Sequence, residues 1–265
     1  MEIKEVKCKS ILSKSGLRDS KYSINPYRGC SHNCIYCYSP YILREERKWG
    51  DFVDVKVNAP EVLVKETHRK KKGSILISSV TDPYQPLEEK YKLTRRILEM
   101  LRNKEFSISI LTKSTLVLRD LDMIKKLNCE VGLTITTLDE NLAKIFEPNS
   151  SSPEKRLEVL SYFKISGIKT YIFFGPLLPF ISDANLEKTI SRFALAKPDK
   201  IYVDKLNIKG EKHWENIKSV LEKNFPDMVE KWEQILFSKS DYYEKLKQRI
   251  IEISKNYDIK YEFCY

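Results

Sequence analysis

Glycine is scarce in this sequence, with eight residues in 265, and histidine is scarcer, with three. No apolar run reaches the roughly 18 to 20 residues that a membrane span needs. The opening "MEIKEVKCKSILSKSG" holds no apolar signal core, so no membrane association is expected and the protein reads as cytoplasmic. There is no internal repeat, no low-complexity block and no basic tail; the lysines are spread along the chain. In a reducing compartment six cysteines are poor material for a disulfide framework, and a tight cluster of them points instead to metal or redox chemistry.

What is present is a core and a charge. The hydrophobic content of 42% suffices for an unaided globular fold, and the 32% of charged residues in a Lys/Glu-rich, Gly-poor chain suits a hot environment. The net charge of +10 favours an anionic partner such as nucleic acid.

Apolar runs alternate with helix-period segments. "SILISSV" (74–80), "FSISILT" (106–112), "EVGLTITT" (130–137), "IKTYIFFGPLLP" (168–179) and "KIYVDKLN" (200–207) read as strands. Between them, 87–103, 116–128, 152–167 and 183–196 read as helices, the third opening on Ser-Pro and closing on Gly. Repeated strand-helix-strand units imply parallel pairing with right-handed crossovers. With an N-terminal strand near "YSINPYR", the expectation is an α/β fold, a partial (β/α)6 TIM-like barrel over residues 1–210, followed by a mostly helical appendage, 211–265, that covers it. Such a barrel carries its chemistry at the C-terminal ends of its strands. There the sequence sets a cysteine loop, "TDPYQP" (81–86), "TKS" (112–114), "TITT" (134–137) and "GPLLPFISD" (175–183).

The cysteine loop is "INPYRGCSHNCIYCYSPY", with Cys30, Cys34 and Cys37 spaced C-x3-C-x2-C and Tyr36 directly before the last. Three thiolates can hold three irons of a [4Fe–4S] cube and leave the fourth open to substrate or cofactor. A structural zinc would want a fourth ligand such as His32 or Cys8, the first confined between the cysteines and the second distant in sequence. Incidental buried thiols are the bland alternative, but a polar Gly/Ser/His/Asn loop is unlike a core.

C-x3-C-x-aromatic-C resembles the signature of the radical S-adenosylmethionine (SAM) enzymes. "SSVTDPYQPLE", "LTKSTLVLRD", "EPNSSSPEKRLEVL" and "GPLLPFISD" extend the likeness to the radical SAM family related to spore photoproduct lyase, often labelled DNA repair photolyase-like. The resemblance implies a [4Fe–4S] cluster on Cys30, Cys34 and Cys37, SAM chelated to its open iron, and reductive cleavage of SAM to a 5′-deoxyadenosyl radical. It implies a reductant protein such as ferredoxin or flavodoxin, and sets Tyr36 against the adenine, Thr81 and Asp82 at the amino group of SAM, and Lys113 at its carboxylate. Thr136 and Arg156 are similar to further family positions near the cofactor. Asn25 and Arg28 flank the cluster segment as candidates for positioning it. His68 and His213 read as surface histidines.

Spore photoproduct lyase has a hydrogen-donating cysteine just ahead of the Ser-Asp pair; here that place is Val80, so thymine-dimer reversal by that route is not expected. Cys129, Cys264 or a tyrosine near the barrel mouth remain as donors. The substrate is left open by the sequence: the family label suggests a nucleic acid lesion or modification site, and RNA modification or protein maturation fits the residues equally. The alternative function is a non-enzymatic, zinc-stabilised nucleic-acid-binding protein.

Overall fold

The computed structural model describes residues 1–17 and 19–265. Its strands are β1 (Glu2–Val6), β2 (Leu12–Lys14), β3 (Tyr22–Ile24), β4 (Tyr27–Arg28), β5 (Phe52–Lys56), β6 (Ser74–Ile77), β7 (Ser107–Thr112), β8 (Cys129–Thr134), β9 (Lys169–Leu177), β10 (Lys200–Lys205) and β11 (Tyr261–Phe263). β1, β5 and β4 make a small sheet; the other eight form one sheet in the order β11-β10-β9-β8-β7-β6-β3-β2. From β3 to β11 every neighbouring pair is parallel, and only the β2 hairpin partner runs against its neighbour. The fold is α/β with a mostly parallel sheet.

Alternation along the strands separates two faces. Ile75, Ile77, Ile108, Ile110, Val131 and Leu133 share a face with Ile172, Phe174, Ile201 and Val203, and join one buried cluster with Ile97, Leu160, Phe163 and Phe193 from the crossover helices. The other face is mixed: Ser109, Glu130, Lys200 and Asp204 share it with Leu76, Leu111, Tyr171, Phe173 and Tyr202. Tyr171 lies over Gly132, where an added Cβ would stand 2.1 Å from the ring, and reaches two strands across to donate to the Ile110 carbonyl at 3.1 Å. Only glycine fits beneath that ring. Burial, with Asp204 and Glu262, pushes the Cys264 thiol beyond β11 up to about 11.

Where elements differ from expectation, side chains explain it. The helix expected over 87–103 breaks at Lys92, which adopts φ 50°. Buried Glu88 accepts the Thr94 amide at 2.9 Å and so caps a second helix, Leu93–Leu101. The helix expected over 116–128 is instead a 3-10 turn, Thr115–Asp120, followed by a short helix, Leu121–Ile124, because Ser114 caps the turn and Arg95 and Arg119 grip buried Asp120. "YSINPYR" supplies two short strands, β3 and β4, in different sheets. Residues 211–265 fold into helices Glu211–Asn224, Val229–Phe237 and Tyr242–Ser254, and then give β11 to the main sheet, a strand the sequence reading did not anticipate. Among the described residues no helix is long and apolar enough to cross a membrane.

Candidate active site

The cysteine loop leaves the C-terminal end of β3. Gly29, at φ +89°, turns the chain into it so closely that a Cβ would stand 2.4 Å from the Phe52 carbonyl. Within the loop the Asn33 amide donates to the Cys30 carbonyl at 3.3 Å and the Cys37 amide to the Cys34 carbonyl at 3.1 Å, so two turns fix the spacing of the three thiols. Burial raises all three; Cys34 is pushed up to about 12 despite the nearby Lys113 ammonium.

The loop after β6 clamps this segment. Thr81 Oγ1 donates to the Gly29 carbonyl at 2.6 Å, and Gln85 Oε1 accepts the Ser31 amide at 2.9 Å, one bond on each side of Cys30. Asp82 is buried, and its oxygens accept from the Tyr84 amide (2.9 Å), the Thr112 hydroxyl (2.6 Å) and the Lys113 amide (2.9 Å). His32 Nδ1 stands 3.3 Å from the same carboxylate but lacks the alignment of a full hydrogen bond. Burial alone would raise Asp82, yet His32, Thr112 and the Lys113 amide pull it down to about 2. Asn25 Oδ1 receives the Ser79 and Val80 amides at 2.9 and 3.1 Å, and Tyr38 donates to the Ser79 carbonyl at 2.5 Å. Val80 is half-buried directly beyond that carbonyl.

A third group comes from the β8 exit. The Tyr36 phenol donates to Glu147 Oε1, which also accepts from Thr136 Oγ1 at 3.1 Å, while Arg156 Nη2 meets Glu147 Oε2 at 2.5 Å. Arg156 donates further to the Thr134 and Ser151 carbonyls at 2.8 and 2.7 Å. Burial pushes Glu147 up, but Arg156 and Lys113 outweigh it and hold the carboxyl below its ordinary value. Lys113 Nζ lies 5.7 Å from the centre of the Tyr36 ring; burial lowers it, while Cys34, Glu147 and Asp82 more than compensate and keep it an ammonium. Tyr36, Asp82, Lys113, Thr136 and Arg156 therefore surround the cysteine loop together, with Thr81 at its entrance. The sequence reading missed Glu147, though it stands as the acid in "FEPNSSSP" between apolar and turn residues.

His213 corrects an expectation: it is fully buried. Its Nδ1 accepts the Lys209 amide at 3.1 Å, so Nε2 carries the proton and donates to the Tyr36 carbonyl at 3.0 Å. Apolar residues around it in the folded core, invisible in a helix that reads as polar, account for the difference. His68 is exposed, as expected. Arg28 pairs with Glu45 at 2.8 Å. Cys129 opens β8 at the end of the sheet opposite the cysteine loop, Cys264 is exposed beyond β11, and the Cys8 amide is held by Asn58 at 2.8 Å.

Among the described residues no three His, Cys, Asp or Glu side chains are gathered to hold one metal ion. Ligands of a zinc ion converge on one point, whereas the thiolates of a cube stand on separate corners and lie farther apart. A second observation fits a cluster. The Trp49 Nε1–H is buried without a hydrogen-bond acceptor and stands beside the Cys37 thiol, so a thiolate there would satisfy it. The donor set suits a three-thiolate cluster.

Comparison with known proteins places these observations. Residues 24–193 match the radical SAM superfamily. An uncharacterized protein of Methanocaldococcus jannaschii is 38% identical over 266 residues, which cover 98% of this chain and 95% of the relative. One from Mycobacterium tuberculosis is 28% identical, over 96% of this chain and 80% of its own. Among solved structures, spore photoproduct lyase complexed with dinucleoside spore photoproduct superposes with a TM-score of 0.73 at 14% identity, covering 99% of this chain and 82% of that one. Streptococcus suis SuiB bound to S-adenosylmethionine gives a TM-score of 0.59 at 14% identity, over 91% and 49%. At such identities the likeness is one of fold.

Proposed function

The chain belongs to the radical SAM superfamily of enzymes, and from that membership we propose that it holds a [4Fe–4S] cluster on Cys30, Cys34 and Cys37 and cleaves SAM reductively. A cluster held there would pass one electron from the reductant to the sulfonium of SAM, breaking its C5′–S bond to give methionine and a 5′-deoxyadenosyl radical. The sheet is read as the open six-stranded barrel of this superfamily, extended at one edge by the C-terminal segment.

The residues of this chain have separable tasks in that reading. Lys113 offers a cation to the methionine carboxylate, and the ionised Asp82 offers a fixed negative charge to the amino group, with Thr81 beside it. Tyr36 lines the adenine side. Thr136 and Arg156 spend their donors on Glu147 and on backbone carbonyls, so they act through Glu147 to hold Tyr36 and the loop rather than by touching SAM. Fixing the groups before the cofactor arrives avoids reorganising them during reaction and keeps water from the site.

The observation that carries this reading is the clamp on one cysteine loop by the segments after β6 and β8, through Thr81, Gln85 and Asn149, with Lys113 of the β7 exit 5.7 Å from the Tyr36 ring. A zinc-stabilised binding module gives those exits no task. The +10 charge suits a nucleic acid lesion or modification site. A ferredoxin- or flavodoxin-type protein in the cytoplasm is the proposed reductant. The test is metal content: anaerobically reconstituted protein should carry about four irons and four sulfides with visible absorbance, and Cys34→Ala should lose both. Stoichiometric zinc without sulfide would favour the binding module.

A further inference from the structure

We propose that helix Glu211–Asn224 is part of the cluster-binding apparatus, with His213 and Asn216 as positioning residues for the backbone between Cys34 and Cys37. This rests on the assignment of those cysteines as cluster ligands.

Only Ile35 and Tyr36 separate the last two cysteines, and the helix holds both of their carbonyls. Asn216 Nδ2 donates to the Ile35 carbonyl at 2.6 Å and His213 Nε2 to the Tyr36 carbonyl at 3.0 Å. From the other side of the loop, Tyr41 stacks on the His213 ring at 4.6 Å and donates to the Lys212 carbonyl at 3.2 Å. The Ile35 amide goes to the Phe146 carbonyl at 2.9 Å, so each backbone polar group of this two-residue segment except the Tyr36 amide has a named partner.

The helix is itself anchored. Trp214, Ile217 and Leu221 pack with Phe146, Trp232 and the Tyr36 ring in a second buried cluster, separate from the core under the sheet. His213 lies on that buried face and Asn216 at its exposed margin. The C-terminal segment is thus a brace for the cysteine loop, and a boundary at residue 210 would cut through the site.

The chemical consequence concerns the cluster's surroundings. Hydrogen bonds, backbone orientation and water near the sulfurs set a cluster's potential. With both carbonyls committed to the helix, the Tyr36–Cys37 peptide keeps one orientation and the half-buried Cys34–Cys37 turn is held against further entry of water. Loosening it admits water, which favours the more negative, reduced cluster and raises the potential.

The experiment uses the full chain, reconstituted anaerobically with iron and sulfide, comparing wild type with His213→Ala, His213→Gln and Asn216→Ala. Readouts are cluster loss to a ferrous chelator, midpoint potential by redox titration, and melting temperature of the apo chain. The expected result is at least threefold faster loss and an upward potential in His213→Ala and Asn216→Ala, with His213→Gln, which keeps an N–H donor, returning toward wild type. Asn216 is exposed, so its variant keeps the fold even where His213→Ala lowers the melting temperature. Wild-type retention and potential in both alanine variants would overturn the proposal. A wild-type chain that takes up no cluster would overturn the ligand assignment beneath it, and the wild-type sample alone reveals that case.

Discussion

The Tyr36 phenol and the Glu147 carboxylate are hydrogen-bonded inside the protein, and Arg156 holds the same carboxylate by its other oxygen at 2.5 Å. This pairing joins the residue before Cys37 to the helix behind β8. Glu147→Gln leaves the Arg156 guanidinium buried without its counter-charge, so a loss of about 3–5 kcal/mol is expected in urea unfolding of the apo chain. Thr136→Val, which removes one donor from the same oxygen, should cost about 1 kcal/mol. Equal small effects from both would contradict the ranking.

Acid should weaken the attachment of β2. Glu66 accepts from the Ser10 hydroxyl at 2.6 Å, the Ile11 and Leu12 amides at 2.9 and 2.7 Å, and Lys70 at 3.0 Å. Burial opposes ionisation, but these donors prevail and pull the carboxyl from 4.5 to about 2. A carboxyl with a lowered folded value stabilises above its unfolded value and loses that contribution as pH falls through the folded one. Glu66→Gln should therefore cost about 1–2 kcal/mol at neutral pH, solvent screening keeping it below the full linkage value. The difference from wild type should close between about pH 4.5 and about pH 2. A gap that persists at the acid end would argue against this role.

Gly132 is reserved for Tyr171. A Cβ there meets the ring at 2.1 Å, and the ring is tethered through its hydroxyl to Ile110 and Ser109. Gly132→Ala should cost about 1–3 kcal/mol by overpacking. Gly132→Ala with Tyr171→Ala should be less harmful than the two separate losses added, since the added methyl then has room. Additive losses from chemical denaturation would show that the contact is not the cause.

By the sequence resemblance Val80 stands where the spore enzyme has its thiol, and the structure puts it just beyond the Ser79 carbonyl that Tyr38 holds. Reconstituted enzyme given a dinucleoside spore photoproduct should not repair it at a normal rate. Product analysis showing efficient repair would refute this reading of Val80.

The sequence carried the sheet well, because period-two apolar runs between helix-period segments leave few alternatives. The cysteine loop is legible because its spacing is local, whereas Thr81 and Asp82 are reached only through the family resemblance, and the structure sets them beside that loop. What the sequence hid was long-range. His213 reaches a carbonyl 177 residues earlier, and nothing around "KGEKHWEN" distinguishes it from a surface histidine. Glu147 becomes informative only when Tyr36 and Arg156 converge on it. β11 escaped notice because "YEF" is three residues long and gains its partner only from β10. The break at Lys92 depends on Glu88 capping the helix beyond it, a contact that propensity does not encode.

The most direct test of the account is SAM cleavage: chain reconstituted with iron and sulfide, reduced anaerobically in the presence of SAM, and assayed for 5′-deoxyadenosine beside Cys34→Ala. The account predicts 5′-deoxyadenosine from wild type and none above background from the variant. A wild-type protein that carries its iron and sulfide and is reduced, yet leaves SAM intact, would contradict it.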